Sequence, residues 1–200
     1  MEIITDSKEY DFFWRVLLLG SRDVGKSTLC KRIKFKNYNK FMEFEEHPFS
    51  FINTDCAIIY IKYLNKKFKL MIWNIAGKER DTRFTYNYLK VCSIYLIFYD
   101  AFNRKSFNTL KDYIESILSI DEKRIIMIAR NKYELKLESK ENNIDIISDE
   151  EVLEYISNKN TNENIFFFHL SNYEKYESGI NNLLEFIIIK SIKKNLKCNK

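Results

Sequence analysis

The sequence predicts an α/β fold: a six-stranded, mostly parallel sheet with one antiparallel edge strand and helices on both faces. Three observations predict it. Short apolar runs alternate with helix-period stretches from end to end, the pattern of a parallel sheet covered on both sides. Two of the runs are separated only by Asn65-Lys66-Lys67, which is short enough for a hairpin turn. A glycine-bracketed segment, Gly20 to Ser27, joins the first run to the first helical stretch.

Each element follows from its residues. Phe12 to Leu19 is nearly continuous and apolar, as a buried parallel strand requires. Ser27 to about Lys36 has helical spacing, with Leu29 and Ile33 on one side. Cys56 to Leu64 and Phe68 to Ile75 are the hairpin strands, and Ser93 to Tyr99 is the most apolar strand. From Ser106 to Ile120, the residues Phe107, Leu110, Tyr113, Ile114, Ile117 and Leu118 share one helical face. Arg124 to Ala129 is a further strand. Ser148-Asp149-Glu150-Glu151 has the form of a capping box opening a helix to about Ser157. Ile165 to Leu170 is the last strand. Ile180 to Ile192 is the last helix, with Leu183, Leu184, Ile187 and Ile188 inward. Asn39 to Ser50 and Leu135 to Asn143 are polar loops, and no internal repeat is present.

Composition narrows the classes. The chain has 200 residues and 46% hydrophobic content, enough for one domain with a sizeable core and too apolar for a disordered chain. The formal charge is +5, and the charges alternate in sign along the chain, so nucleic acid is not the expected partner. Cys30, Cys56, Cys92 and Cys198 are widely spaced, with no CxxC pair and no signal peptide before them, which predicts reduced thiols in the cytoplasm. No apolar run approaches the roughly 20 residues that span a bilayer. A Met-Glu start lacks the glycine needed for myristoylation.

The most specific feature is Gly20-Ser21-Arg22-Asp23-Val24-Gly25-Lys26-Ser27. It fits G-x-x-x-x-G-K-[ST] and lies between a predicted strand and a predicted helix, the context that confirms the motif. The two glycines let the backbone turn so that its amides face phosphates. The helix N terminus adds partial positive charge. Lys26 is placed to reach the outer phosphates and Ser27 to coordinate magnesium, with Thr28 following on the helix. The fold expected is therefore a P-loop NTPase three-layer sandwich, with a nucleoside triphosphate and Mg2+ as ligands.

Further anchors bring a family into view. Lys69-Leu70-Met71-Ile72-Trp73-Asn74-Ile75-Ala76-Gly77-Lys78-Glu79-Arg80 resembles K-L-Q-I-W-D-T-A-G-Q-E-R of the Rab branch of the Ras superfamily of small GTPases. The match runs on without a gap to Tyr99-Asp100 and Lys105-Ser106-Phe107. Asn131-Lys132-Tyr133-Glu134 is similar to the guanine motif N-K-x-D. The resemblance covers about residues 12 to 192, leaving a short basic C-terminal tail on a single domain of residues 1–200.

The resemblance implies a set of site residues. The nucleotide-binding set is Gly20, Asp23, Val24, Gly25, Lys26, Ser27, Thr28, Tyr38, Gly77, Asn131, Lys132, Glu134, Ser171 and Asn172. Gly77 would meet the γ-phosphate through its amide, and Glu134 keeps the guanine-reading carboxylate on a longer stem. Ser171-Asn172-Tyr173 stands where S-A-K is expected. Tyr38 has the spacing of the base-stacking aromatic, with Phe41 and Phe44 competing.

The departures concern turnover. Lys78 replaces the water-orienting Gln, and an ammonium only donates hydrogen bonds. Asn74 replaces the Asp that holds magnesium through a water, removing a negative charge. Arg22 and Asp23 occupy loop positions where small residues are preferred, and Arg22 is read either as blocking the water or as an internal arginine finger. Counting back from Trp73 puts Phe51 where a magnesium-binding Thr belongs, with Thr54 or Ser50 as substitutes. The loop from Tyr38 to Phe51 is about six residues longer than the family norm, a comparison made by resemblance alone.

Three readings follow. The first is a Rab-like GTPase with slow hydrolysis, switching between GTP and GDP in vesicle traffic or signalling and recruiting effectors and regulators. The second is a pseudo-GTPase scaffold that binds nucleotide without turnover. The third and weakest is a P-loop kinase or ATPase, for which no lid or acceptor segment is evident. The tail carries Lys193, Lys194, Lys197 and Cys198 without a CaaX box. A lysine-rich last helical turn suited to the helix dipole is the favoured account. Peripheral contact with the cytosolic face of an anionic endomembrane is the alternative.

Overall fold

The computed structural model describes residues 1–4, 9–35, 55–75, 82–131, 146–159, 163–170 and 177–198. Among these residues the elements in chain order are β1 (Glu2–Ile4), β2 (Phe12–Leu19), α1 (Lys26–Phe35), β3 (Asp55–Tyr63), β4 (Lys66–Asn74), α2 (Thr82–Val91), β5 (Ile94–Asp100), α3 (Arg104–Ile120), β6 (Ile125–Asn131), α4 (Asp149–Lys159), β7 (Ile165–His169) and α5 (Glu177–Cys198). The strands form one sheet in the order β1-β3-β4-β2-β5-β6-β7. Strands β4, β2, β5, β6 and β7 pair in parallel, while β3 runs antiparallel to both β4 and β1.

Among the described residues the sheet has seven strands where six were expected. The antiparallel strand β3 is not the edge, because β1 pairs along it with Ile3 opposite Ile61. Three residues, Glu2-Ile3-Ile4, carry too little periodicity to announce a strand, so only pairing reveals it. Helix α2 was also not anticipated. Its inward positions Thr85, Tyr88 and Leu89, followed by Cys92, are buried at helical spacing, and that spacing was the available signal.

Alternation along the strands divides the core in two. On one face Val16, Leu18, Ile59, Leu70, Leu96, Phe98 and Met127 pack with Leu29 and Ile33 of α1 and Leu183, Leu184, Ile187 and Ile188 of α5. On the other, Leu17, Leu19, Trp73, Tyr95, Ile97, Ile126 and Ile128 pack with α2, α3 and α4. This is the three-layer sandwich, with each fully buried Leu or Ile contributing about 1.5–3 kcal/mol.

Local chemistry ends the elements where the backbone needs it. Leu64 and Asn65 turn the β3–β4 hairpin with φ of 47° and 58°, the two-residue turn whose twist matches the strands. The Ser106 amide at the start of α3 donates to the Asn103 side chain at 3.2 Å. The Glu151 amide donates to Ser148 Oγ at 3.2 Å, the expected half of the capping box. Asp11 joins β2 to β4, accepting from the Lys67 amide at 2.8 Å and from Lys66 Nζ at 2.9 Å. These two donors, the backbone one foremost, hold its carboxyl below the ordinary value. Helix α5 runs on to Cys198, so the basic tail begins within a helix.

Candidate functional site

The site lies at the carboxyl ends of the parallel strands, where ligands bind open α/β sheets. Strand β2 ends at Leu19, and α1 begins at Lys26. Gly20 starts the connection at φ 128° and Gly25 closes it at φ 100°. A β-carbon on Gly20 would lie 2.3 Å from the Phe98 carbonyl oxygen of β5 and 3.1 Å from Val24 Cγ2. Glycine is therefore required by close packing against the neighbouring strand as well as by backbone angle.

Lys26 is buried at the mouth of α1. Its ammonium donates to the carbonyls of Gly20 at 2.5 Å and Ser21 at 2.6 Å. The charge thus sits beneath the arch of the loop, close to the helix N terminus, and both features favour an anion. Ser27 and Thr28 are exposed on the first turn of α1. Arg22 and Asp23 form the outer rim, with side chains 90% and 85% exposed and an ion pair at 3.6 Å. Asp23 holds φ 64°, a left-handed conformation that Asp tolerates better than most residues.

Two distant strands reach this loop. Asn74, at the end of β4 and fully buried, donates from Nδ2 to Ser27 Oγ at 3.0 Å. Its Oδ1 is buried without a hydrogen-bond partner among the described residues. Asn131, at the end of β6, donates from Nδ2 to the Val24 carbonyl at 2.7 Å, and its Oδ1 is likewise buried without a partner. Two of the resemblance-derived positions, 107 residues apart, are therefore in direct contact. A hydroxyl and an amide oxygen are hard donors of the kind magnesium accepts. Ser27 with the open Asn74 Oδ1 thus fits that ion, though neither brings the charge an Asp would. Tyr38, Ser50, Thr54, Gly77, Lys78, Lys132, Glu134, Ser171 and Asn172 lie outside the described residues.

The Ser106 position, matched by resemblance, proves structural. Its hydroxyl donates to the Asn103 carbonyl at 2.7 Å and accepts from the Asp100 amide at 3.0 Å, fixing the turn from β5 into α3. Sequence reading missed Arg130, which is fully buried one residue before Asn131. Arg130 Nη1 donates to Asp149 Oδ1 at the first turn of α4, and Asp149 Oδ2 lies 3.3 Å from His169 Nε2. Beside it in β5, burial pushes the Tyr99 phenol up, with the Arg130 charge working against that rise. A charged residue closing an apolar strand was the only signal for this cluster.

A parallel sheet whose first parallel strand runs through a glycine-bracketed loop onto a helix N terminus is the architecture of the phosphate-loop proteins. The chain belongs to the Ras family, which it matches over residues 15–192. It is similar to the human Ras-related protein Rab-8B, with 34% identity over 124 residues, 60% of this chain and 57% of that protein. Against Ras-related protein Rab-11B of Dictyostelium discoideum the identity is 33% over 129 residues, 64% of this chain and 56% of the relative. Against Ras-related protein RABD2a of Arabidopsis thaliana it is 34% over 109 residues, 54% and 51%. The chain thus spans a little over half the length of the curated relatives it matches. No helix among the described residues is long and apolar enough to cross a membrane.

Proposed function

We propose that this chain is a guanine-nucleotide switch of the Rab type that binds GTP and GDP with magnesium, hydrolyses GTP slowly and serves vesicle traffic. The observation that carries the reading is the contact between Asn131 and the Val24 carbonyl. It ties the start of the base motif to the phosphate loop, so one ligand with a base at one end and phosphates at the other spans both. Lys26 beneath the loop and the α1 N terminus supply the positive end. Asn131, Lys132 and Glu134 supply the base end, with Ser171, Asn172 and the aromatic Tyr38 around it. Ser27 would hold magnesium, with Asn74 acting through a water and Thr54 or Ser50 as a further ligand. The chain is a single domain over residues 1–200 with its core at about 12–192, and effectors and regulators meet it through the segments around Thr54 and Gly77.

Magnesium, when bound, neutralises the charge that develops on the transferred phosphoryl group. The chain's own groups do the rest. The loop amides and Lys26 hold the phosphates in place, and the Gly77 amide meets the γ-phosphate. Lys78 has no acceptor with which to orient a water, which is the reason for slow turnover. The Arg22 side chain is exposed and paired with Asp23 at 3.6 Å. This favours the scaffold reading over an internal arginine finger.

The test begins with nucleotide released from the purified chain and identified by chromatography. GDP supports a cycling GTPase and retained GTP the scaffold, while ATP or no nucleotide overturns the guanine assignment. Next, Lys78→Gln with Asn74→Asp is expected to raise single-turnover GTP hydrolysis. Wild-type hydrolysis as fast as that of the double variant would refute the impairment.

A further inference from the structure

We propose that Arg130 and Asp149 are positioning residues for the nucleotide site, acting through Asn131 to set how long the ligand stays bound. The inference rests on the guanine-nucleotide reading above. Arg130 lies in register between Tyr99 of β5 and His169 of β7, on the face covered by α3 and α4. It is fully buried, and a guanidinium there requires a charged partner. Asp149 supplies one, with Oδ1 on Arg130 and Oδ2 facing His169 at 3.3 Å. Asp149 is itself fixed as the first residue of α4, behind the Ser148 cap. Two further ion pairs hold α4 to α3: Arg104 with Glu151, and Lys159 with Glu115 at 2.9 Å.

The backbone of Arg130 is held as firmly as its side chain. Its carbonyl accepts from the Leu170 amide at 2.9 Å. The next residue is Asn131, whose side chain leaves the opposite face of β6 and grips the Val24 carbonyl. A continuous path therefore runs from the α4 N terminus through Asp149, Arg130 and Asn131 to the phosphate loop. Releasing Arg130 frees the last peptide of β6 to shift, and a shift of a few tenths of an ångström loosens a 2.7 Å hydrogen bond. Helices α3 and α4 thereby gain a mechanical connection to the phosphate loop.

The experiment measures release of a fluorescent GDP analogue from the full chain, with magnesium and with chelator, alongside thermal unfolding of the nucleotide-free protein. Asp149→Asn is expected to speed release about tenfold in both conditions, because the path avoids the Ser27 and Asn74 side. Asp149→Glu is expected to recover most of the wild-type rate. The double variant Arg130→Met/Asp149→Asn removes both charges, so that no unpaired guanidinium is left buried to cost folding stability. Release from it is expected to remain fast, which separates positioning from stability and keeps the test alive if the single variant folds poorly. Slow release from the double variant would overturn the inference while leaving the guanine reading standing. A wild-type chain that retains no GDP analogue would overturn both.

Discussion

Replacing Gly20 with alanine tests whether the phosphate loop is built against β5 as tightly as the geometry indicates. The new β-carbon would stand 2.3 Å from the Phe98 carbonyl oxygen, a backbone atom in the middle of the sheet. That oxygen is not the end of a flexible side chain that can swing away, so the loop must lift or the strand must yield. The backbone angle adds to the cost, since φ 128° is a region that residues with a β-carbon rarely occupy. Strain of that kind costs about 1–3 kcal/mol, and forcing a methyl into a packed site costs roughly 1–3 kcal/mol more. The sum is about 2–6 kcal/mol, and in a chain of this size each kcal/mol lowers the melting temperature by about 2–4 °C. Thermal unfolding of the nucleotide-free variant, followed by circular dichroism, should therefore show a fall of roughly 5–20 °C. A change under about 2 °C would refute the packing argument, because it would mean the loop accommodates a side chain without moving.

Three further outcomes are expected. Asp23→Gly, three residues along the same loop, should leave stability unchanged or raise it by up to about 1 kcal/mol, because glycine relieves the φ of 64°; a clear loss would show that the Arg22–Asp23 pair matters more than the backbone. Tyr95→Phe should cost about 1–3 kcal/mol in denaturant unfolding, since the buried hydroxyl donates to the carbonyls of Leu89 at 2.5 Å and Cys92 at 2.9 Å at the end of α2. A neutral result would mean those carbonyls find other donors. For Asp11, whose carboxyl is held below 3.8, the unfolded chain binds the proton more readily. Its contribution is therefore complete above about pH 4 and is lost as the pH falls below that value. Asp11→Asn should flatten that acid-side loss, and parallel curves for the two proteins would remove Asp11 from the account.

Much of the framework was legible because it is written in local periodicity. Phe12 to Leu19 was read to its observed limits, and the other strand and helix bounds shift by one to a few residues at the ends, apart from α5, which extends six residues further. Fraying, caps and tertiary packing decide such ends. The hairpin was expected with a three-residue turn and has a two-residue one, Leu64-Asn65. Positive φ at a leucine carries no sequence signal. Helix α2 was overlooked because its core stripe is short and lies within a stretch aligned by resemblance rather than by period.

What the sequence by itself determined is the chemistry of the loop: two glycines, Lys26 and Ser27 at a spacing that makes a phosphate cradle between a strand and a helix. It also determined the alternation that makes a parallel sheet. Only the tertiary structure decided what meets that loop. Asn131 reaches Val24 across 107 residues, Asn74 reaches Ser27 across 47, and Arg130 finds Asp149 behind them. The physical reason is that periodicity reports which face of an element is buried, whereas strand order and register decide which strand ends share a site. The same reason applies to β1, whose three residues become a strand only because β3 offers an edge to pair with.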